Sequence, residues 1–426
     1  MSYLIEEGQN IQHLLMGNEA IVRGALEAGV NIAAGYPGTP SSEIIESFSK
    51  VAKERNLYVE WSTNEKVAVE VAAAGSFAGL RSLCVMKQNG VNVASDFLLH
   101  LASSGTRGGM ILVSCDDPGA LSSVNEGESR LFARLLEIPL LEPGGFQEAK
   151  DIIPWAFALS EQIRNIVMVR SVTRMSHASG NVRFGPLPDT AAQAVFHYNG
   201  PLLDPDTGPV ISMILAAPEL QHGPQLAKLK KAAEIFETCP FNTYTGPETP
   251  ELLIITSSAC SLYSREAVAI LGLEERVGIL KLATTWPLPL RLLTGHLTRA
   301  ARILFVEEVA PTLEDHVKTI AAETAAEIGV KTFYGKKSGH LPAVGELNPD
   351  LVINALTALL SIPYAPLTTE FAGKLKELAD NYAPPRGMTF CPGCPHRASY
   401  WSIHNALELD GRRGFVCGDI GCYVMG

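Results

Sequence analysis

Three uninterrupted apolar runs constrain the fold of this chain more than any other feature. They read RSLCVMK, GMILVSCDD and NIVMVRS, and none shows the polar alternation of a half-exposed strand. Strands that are covered on both faces have this pattern, and they occur mainly in parallel sheets. Segments with a helical apolar stripe, such as TPSSEIIESFSKVAKERN before the first of these runs, alternate with strands along the chain. The sequence therefore predicts an α/β fold with a doubly wound parallel sheet.

Further elements extend this alternation over residues 1–195, which we expect to form the first domain. Asn18 is predicted to cap a helix through EAIVRGALEAG, and Asn64 a helix through NEKVAVEVAAAGSFAG. The apolar piece VNIAAGYPG leads into a turn at Pro37-Gly38, and LYVEWST is predicted to be a strand.

A second alternation predicts a smaller α/β domain over residues 251–365. Its strands are ELLIITS, RVGILKLAT and ARILFVEEV, with helical segments between them. Residues 196–250 are predicted to be a connector with a polar helix near LAKLKKAAEIFE. Residues 366–426 have no visible core, so we expect the incomplete start of a third domain there.

Composition and charge limit which partners the protein can bind and in which cellular compartment it is expected. The formal net charge is -11 and no Lys/Arg cluster is present, which argues against a nucleic-acid partner. The amino-terminal segment has no signal-peptide pattern, and no apolar run is long enough to span a bilayer. We therefore expect a cytoplasmic protein, in which clustered cysteines are metal ligands or redox groups rather than disulfides.

Four of the eight cysteines lie within the last 36 residues. Cys391 and Cys394 form a C-x-x-C pair, and Cys417 and Cys422 flank a Gly-rich turn. Such pairs bring two thiolates to one metal centre. Spacing alone favours a structural zinc site and a [4Fe-4S] cluster about equally, and incidental thiols are a third alternative.

Polar residues at two predicted strand ends are the other candidates. Thr39 lies in a strand-to-helix turn, where ligands bind in open α/β sheets, although Thr-Pro-Ser-Ser is also an ordinary helix start. Glu65 begins a helix of small and apolar residues. It is either a helix-dipole residue or a carboxylate whose basicity is raised by apolar surroundings and which exchanges a proton with a bound heterocycle.

A third polar segment, SCDDPGALSSVNEGESR, follows the strand MILV. Its charged and amide residues form either a substrate or partner loop or, as the pattern slightly favours, a solvated loop with internal turns. The residues concerned are Asp116, Asp117, Asn125, Glu126 and Arg130. For Arg174 and His177, which end another strand, an ordinary core or surface role is expected.

Six motifs in order give the chain a family resemblance from about residue 14 to residue 426. They are GYPGTPSSEI, NEKVAVEVAAAGSFAG, DDPGALSSVNEGESR, ILKLATTWPLP, FVEEVAP and CPGCPHRAS followed by GDIGCY, the last being the most specific. Together they resemble the large (alpha) subunits of the indolepyruvate:ferredoxin oxidoreductases. Those subunits belong to the thiamine-diphosphate-dependent 2-oxoacid:ferredoxin oxidoreductases.

The resemblance implies a role for each region and candidate residue. It implies a pyrimidine-binding domain, then a transketolase-C-terminal-like domain, then a domain that binds the cofactor diphosphate through Mg²⁺. Glu65 matches the glutamate that contacts the aminopyrimidine, and Thr39 matches a position near the 2-oxoacid carboxylate. Cys391, Cys394 and Cys422 match ligands of the [4Fe-4S] cluster nearest the thiamine, which leaves Cys417 as a spare thiol.

The implied reaction is oxidative decarboxylation of an arylpyruvate. Indolepyruvate and coenzyme A would give indoleacetyl-CoA, CO₂ and reduced ferredoxin, with a small beta subunit as partner. The Mg²⁺ ligands and further cysteine clusters of the family are missing, so we expect a C-terminally truncated chain that is inactive alone. The alternatives are a sibling enzyme for another 2-oxoacid and a non-catalytic, zinc-stabilised assembly subunit.

Overall fold

The computed structural model describes residues 2–8, 10–189, 192–196, 218–383, 387, 389–417 and 422–425. The chain divides into two compact units, Met1–Ile362 and Pro363–Gly426. Within the described ranges, no helix combines the length and the apolar character needed to cross a membrane.

The first half of the larger unit alternates strands and helices. Its strands are β1 (Gln12–Met16), β2 (Ile32–Gly35), β3 (Tyr58–Trp61), β4 (Ser82–Lys87), β5 (Met110–Asp116), β6 (Leu140–Leu141), β7 (Val167–Val172) and β8 (Ser179–Arg183). Its helices are α1 (Gly17–Glu27), α2 (Ser42–Ser49), α3 (Glu65–Phe77), α4 (Gln88–Ser104), α5 (Arg130–Leu135), α6 (Phe146–Ile163) and α7 (Thr173–His177).

The second half of this unit begins with a long helix and then alternates again. Its helices are α8 (Pro218–Phe236), α9 (Cys260–Ile270), α10 (Leu290–Arg299), α11 (Thr312–Glu323), α12 (Ala325–Ile328) and α13 (Pro349–Leu360). Its strands are β9 (Thr243–Thr245), β10 (Leu252–Thr256), β11 (Val277–Lys281), β12 (Thr284–Trp286), β13 (Arg302–Val306) and β14 (Thr332–Tyr334).

The predicted doubly wound sheet is confirmed. The strand order is β12-β6-β7-β5-β4-β2-β3, and all pairs are parallel except β12 with β6. The three apolar runs are β4, β5 and β7, which lie in the interior of this sheet. Their lack of alternation follows from burial on both faces.

Strand β4 contributes side chains to two hydrophobic cores, one on each face of the sheet. Leu83 and Val85 lie in the core that includes residues of α1, α2 and α6. Cys84 and Met86 lie in the core formed with α3 and α4. Successive side chains of a strand point to opposite faces, so helices cover both faces of the sheet.

The second sheet has the order β14-β13-β10-β11-β9, with β9 antiparallel to β11 and the other pairs parallel. It contains the predicted strands ELLIITS, RVGILKLAT and ARILFVEEV as β10, β11 and β13. Strand β12 follows β11 in the chain but pairs with β6 of the first sheet. Helix α8, at the predicted connector, buries Ala232 and Phe236 in the core that includes α1 and α6.

The predicted cap at Asn18 is wrong. Helix α1 begins at Gly17 after Met16, and Asn18 is fully buried inside it. Its amide nitrogen donates to the carbonyl of Pro40 at 2.8 Å and to Glu43 at 2.9 Å. Asn18 therefore fixes the loop that follows β2 rather than the start of its own helix.

The smaller unit contains α14 (Thr369–Tyr382) and α15 (Pro395–Asp410), and neither helix has a buried residue among those described. Thr368 caps α14 by accepting a hydrogen bond from the Phe371 amide at 3.3 Å. Cys394 occupies the cap position of α15, and Pro395 takes its first turn. A proline is tolerated there because its missing amide has no helical partner in any case.

Candidate functional site

The chain reverses its direction across the first sheet beside β2. From β2 it passes outward through α2 to β3, and it returns through α3 to β4 on the other side of β2. Ligands of open α/β sheets bind at the carboxyl ends of the strands at such a switch point. Thr39 follows β2, Glu65 follows β3 and Lys87 ends β4. The structure therefore places both predicted residues, Thr39 and Glu65, at this edge.

Thr39 lies in a loop that its neighbours hold in shape. Ser42 accepts a hydrogen bond from the Gly38 amide at 2.9 Å, and the Ser41 hydroxyl donates to the Gly38 carbonyl at 2.7 Å. Thr39 itself is half-buried, and its hydroxyl has no hydrogen-bond partner among the described residues. The two serines thus hold the loop that precedes α2, and the Thr39 hydroxyl is available to a ligand.

Glu65 occupies the first position of α3, and Asn64 caps that helix by accepting from the Val67 amide at 3.0 Å. The Glu65 carboxylate is half-buried and has neither an ion pair nor a hydrogen-bond partner in the part of the chain that is described. Because Asn64 already provides the cap, Glu65 is not needed for that purpose. Its carboxylate is free to receive a ligand group.

Gly90 lets Glu65 lie against the first turn of α4. A Cβ atom at Gly90 would be 2.5 Å from the Glu65 Cγ atom and 2.8 Å from its Oε1 atom, and only glycine avoids that overlap. Burial raises the pKa of Cys84, and the charge of Glu65 raises it further. Glu65 therefore lies against the start of α4, close enough to β4 for its charge to act on Cys84. Residue-by-residue interpretation missed Gly90, although its place just after an apolar strand was a usable signal.

The polar loop after β5 is ordered by internal hydrogen bonds. Asp117 accepts from the Ser122 amide at 2.8 Å, from the Ser123 hydroxyl at 2.6 Å and from Thr173 at 2.7 Å. Burial opposes ionisation of Asp117, but these hydrogen bonds outweigh it and lower its pKa. Glu126 accepts from the amides of Gly119 and Gly345 at 2.8 and 3.0 Å. These carboxylates therefore have structural partners, as expected for a loop with internal turns.

Three residues of this segment, Asp116, Glu128 and Arg130, instead belong to a buried ionic network that joins the two sheets. The guanidinium of Arg130 binds Glu128 at 2.7 Å, Glu307 at 2.8 Å and the Glu308 carbonyl at 2.7 Å. The guanidinium of Arg170 binds Asp116 and Glu142, each at 2.6 Å. Glu307 and Glu308 directly follow β13 of the second sheet.

The network contains more carboxyl groups than guanidinium groups. Burial raises the pKa of Asp116 and of Glu307, and the nearby arginines offset this only in part. Burial likewise raises the pKa of Glu308 to about 7. For Glu128 the arginine charges outweigh burial and lower the pKa to about 2. The two arginines therefore do not stabilise every carboxylate equally. Protonation is favoured at Asp116 and Glu307 and disfavoured at Glu128.

Arg174 and His177, expected at the end of a strand, lie instead in helix α7 directly after β7, and both have charged partners. Arg174 forms a double hydrogen bond with Glu346, at 2.9 and 2.7 Å. His177 lies 3.3 Å from Glu43 at the start of α2. Both predicted surface or core roles are consistent with these contacts.

The cysteine segment lies in the smaller unit. The Cys394 amide donates to the Cys391 carbonyl at 3.1 Å, which closes a turn with Gly393 at φ +73°. The Cys394 sulfur is 3.2 Å from Nδ1 of His396. The backbone carbonyl of Tyr423, next to Cys422, accepts from the Tyr400 hydroxyl at 2.7 Å.

These contacts bring the neighbour of Cys422 to the helix that starts after Cys394. Cys391, Cys417 and Cys422 are exposed and Cys394 is partly exposed. No group of three or more His, Cys, Asp or Glu side chains converges on one point within the described ranges, from which residues 418–421 are excluded. The cluster with Cys391, Cys394 and Cys422 as ligands therefore remains a prediction.

The other four cysteines are unsuitable as ligands. Cys84, Cys115, Cys239 and Cys260 are buried, and burial raises the pKa of each thiol. Metal ligands are thiolates, so a neutral buried thiol is a poor candidate. The donor chemistry of this chain thus confines a cysteine-bound metal to the carboxyl-terminal four.

Three comparisons with known proteins bear on the family and the fold of this chain. Residues 23–234 match the family model "Pyruvate flavodoxin/ferredoxin oxidoreductase, thiamine diP-bdg". The chain is 38% identical to indolepyruvate oxidoreductase subunit IorA of Pyrococcus horikoshii, over 97% of this chain and 62% of that protein. IorA of Methanothermobacter marburgensis is also 38% identical, over 99% of this chain and 66% of the relative.

A solved structure shows the same fold. The 2-oxoglutarate:ferredoxin oxidoreductase of Magnetococcus marinus superposes with a TM-score of 0.64 at 16% identity, over 83% of this chain and 66% of its own. The larger unit thus has the architecture of thiamine-diphosphate-binding α/β proteins. The chain belongs to the 2-oxoacid:ferredoxin oxidoreductase family, and its relatives at 37 to 38% identity are IorA subunits. It spans about two thirds or less of their length, 62% to 66%.

Proposed function

We propose that this chain is the cofactor-binding part of an indolepyruvate:ferredoxin oxidoreductase. The single observation that supports this most is the carboxylate of Glu65, which lies half-buried at the switch point without a described partner. The likeness to IorA subunits supports the choice of an arylpyruvate over other 2-oxoacids. A cytoplasmic location remains part of the proposal.

In this proposal the four predicted regions keep their roles. Residues 1–195 bind the pyrimidine, 196–250 connect, 251–365 form the transketolase-C-terminal-like domain, and 366–426 begin the diphosphate-binding domain. Cys391, Cys394 and Cys422 contribute to a [4Fe-4S] cluster. Mg²⁺ accompanies the diphosphate, a small beta subunit completes the enzyme, and ferredoxin accepts the electrons.

The residues present fit the aminopyrimidine end of thiamine diphosphate. When bound, this cofactor supplies the nucleophilic carbon and the electron sink for decarboxylation. The carboxylate of Glu65, which lies against Gly90 at the start of α4, would hold or release a proton for the aminopyrimidine. Thr39 would donate its hydroxyl hydrogen to the substrate carboxylate.

A panel of 2-oxoacids tests the proposal. We expect the protein, expressed from its native gene with the small subunit, to reduce viologen dye in a CoA-dependent reaction with indolepyruvate. Its kcat/KM should exceed that for pyruvate and 2-oxoglutarate at least about tenfold, because an apolar pocket gains roughly 1 to 3 kcal/mol per group it buries. Iron and acid-labile sulfide are measured on the same sample.

Three outcomes would contradict the proposal. A preference for pyruvate or 2-oxoglutarate would identify a sibling enzyme. Zinc without sulfide, with no dye reduction for any oxoacid, would identify an assembly subunit. Dye reduction that needs no coenzyme A would exclude the proposed acyl acceptor.

Thr39→Val tests the substrate contact. The change keeps the shape of the side chain but removes the donor, so a buried carboxylate loses one hydrogen bond. We expect kcat/KM for indolepyruvate to fall about five- to thirtyfold, which corresponds to roughly 1 to 2 kcal/mol. Thr39→Ser keeps the hydroxyl and should retain most of the activity, whereas an unchanged KM and kcat in Thr39→Val would exclude this role.

A further inference from the structure

Lys87 has a position that the proposed function does not yet use. It is the last residue of β4, at the switch point beside β2. A Cβ atom on Gly38 would lie 3.0 Å from the Lys87 Cβ atom, so the lysine stem packs against the loop that contains Thr39. Its Nζ atom donates to the Ser122 carbonyl at 2.8 Å.

Lys87 is half-buried, and its ammonium group has no carboxylate within ion-pair distance among the described residues. Burial lowers the pKa of Lys87, and the charge of Asp117 offsets this in part. The oxygens of Asp117 already accept hydrogen bonds from Ser122, Ser123 and Thr173. A partly buried cation with no direct counter-ion is costly unless a ligand supplies the negative charge.

The residue after Lys87 does not take part in this anion site. Gln88 is 3% exposed, and its side chain packs against Gly127 and lies 3.4 Å from the Ser123 hydroxyl. Its unpaired Oε1 atom is a hydrogen-bond acceptor and would face a donor, not a carboxylate. The cation at Lys87 is therefore the group that attracts an anion here.

The helix that begins here adds positive character. Helix α4 spans Gln88–Ser104, and no side chain caps its amino terminus. Unpaired amides at a helix start attract anions, and the effect adds to the charge of a nearby lysine. The lysine and a helix terminus without a side-chain cap thus meet at the end of one strand.

We propose that Lys87 and the first turn of α4 bind the carboxylate of the 2-oxoacid, beside Thr39. This assignment rests on the proposed function. It adds a cation, the Lys87 ammonium group, that binds the carboxylate of the substrate. The loops 36–41, 62–65 and 87–90 contain one positive side chain, Lys87, and one negative side chain, Glu65. A monoanion matches that balance, whereas a diphosphate would need more positive charge and would be repelled by Glu65.

Lys87→Met is the test, with Lys87→Arg as the conservative variant. We expect the KM for indolepyruvate to rise about 10- to 100-fold in Lys87→Met, because a charge-assisted hydrogen bond is lost. The kcat value should change less than about threefold, since the carboxylate leaves as CO₂ and the contact acts mainly in the bound ground state. Lys87→Arg should recover most of the affinity. Lys50→Met, an exposed lysine at the end of α2, gives the same charge change and should match the unmodified enzyme.

Two calorimetric titrations separate the possible ligands without turnover. Indolepyruvate is titrated into the thiamine-free protein, and thiamine diphosphate is titrated with Mg²⁺ in the absence of oxoacid. Weaker indolepyruvate binding with unchanged thiamine diphosphate binding supports the assignment. Weaker thiamine diphosphate binding would show that Lys87 contacts the cofactor. Unchanged binding of indolepyruvate and of thiamine diphosphate would show that Lys87 has a structural role. Either result overturns the assignment.

The same titrations distinguish this inference from the proposed function. If the unmodified protein binds indolepyruvate through Lys87 but reduces no dye, the proposed reaction fails and the anion site stands. If dye reduction is normal in Lys87→Met with an unchanged KM, the reaction stands and the anion site fails. Unfolding temperatures of the variants, compared with the unmodified protein, show that each variant is folded.

Discussion

Glu65→Gln is expected to lower oxoacid-dependent dye reduction by about two to four orders of magnitude, the usual contribution of a positioned proton-transfer group. Glutamine has the same size and can still accept a hydrogen bond, but it cannot take up or release a proton. Glu65 has no described partner that the change would disrupt, and Asn64 continues to cap α3. The unfolding temperature should therefore stay within about 2 °C of the unmodified protein, since an exposed or unpaired polar change costs little.

A matched control and a steric variant complete this experiment. Glu70→Gln changes an exposed carboxylate on the same helix and should leave activity unaltered. Gly90→Ala keeps Glu65 but places a Cβ atom 2.5 Å from its Cγ atom, so the carboxylate must move. We expect Gly90→Ala to lose activity as well, because misplacing a catalytic group by about 1 Å costs on the order of 100-fold. Near-normal turnover of Glu65→Gln would exclude the assigned proton transfer.

The interior of both sheets could be predicted from the sequence because its signal is local. Strands β4, β5 and β7 are continuous apolar runs, and burial on both faces explains why they show no alternation. The same holds for β10, β11 and β13 of the second sheet.

Short antiparallel strands could not be predicted from the sequence, because each forms only by pairing with a strand far away in the chain. Strand β12 has three residues and pairs with β6, which has two and lies more than 140 positions earlier in the chain. Strand β1 likewise depends on β8. Neither segment has enough residues for a periodicity, so only the folded sheet reveals the pairing.

The residues of the candidate site also divide into those that local sequence predicts and those that only the folded chain reveals. Thr39 and Glu65 could be named because each follows a recognisable strand, and the sheet order then explains why they share an edge. That Arg130 would bind Glu307 could not be inferred, because 177 positions separate the two residues. For the segment that contains Arg130 the sequence predicts a ligand loop or a solvated loop, whereas burial assigns Arg130 and Asp116 to a third role, a structural ionic network.

The contribution of this network to stability is best measured at Arg170, which is 1% exposed. Arg170→Met retains an apolar side chain of similar length but leaves Asp116 and Glu142 buried without their shared cation. We expect the free energy of unfolding in urea at pH 7 to fall by about 3 to 5 kcal/mol, the usual cost of removing one partner from a buried ion pair. Arg276→Met removes an exposed pair with Glu251 and should cost no more than about 1 kcal/mol.

The pH dependence separates loss of charge pairing from loss of packing. Without Arg170 the folded-state pKa of Asp116 should rise further, because burial then acts without its opposing charge. A carboxyl group whose pKa is raised on folding destabilises the folded state above its unfolded pKa, near 4. The difference between Arg170→Met and the unmodified protein should therefore be largest at neutral pH and should shrink as the pH falls toward about 5. A difference that stays constant over this range would show that Arg170 stabilises the interface between the two sheets by packing and not by its charge.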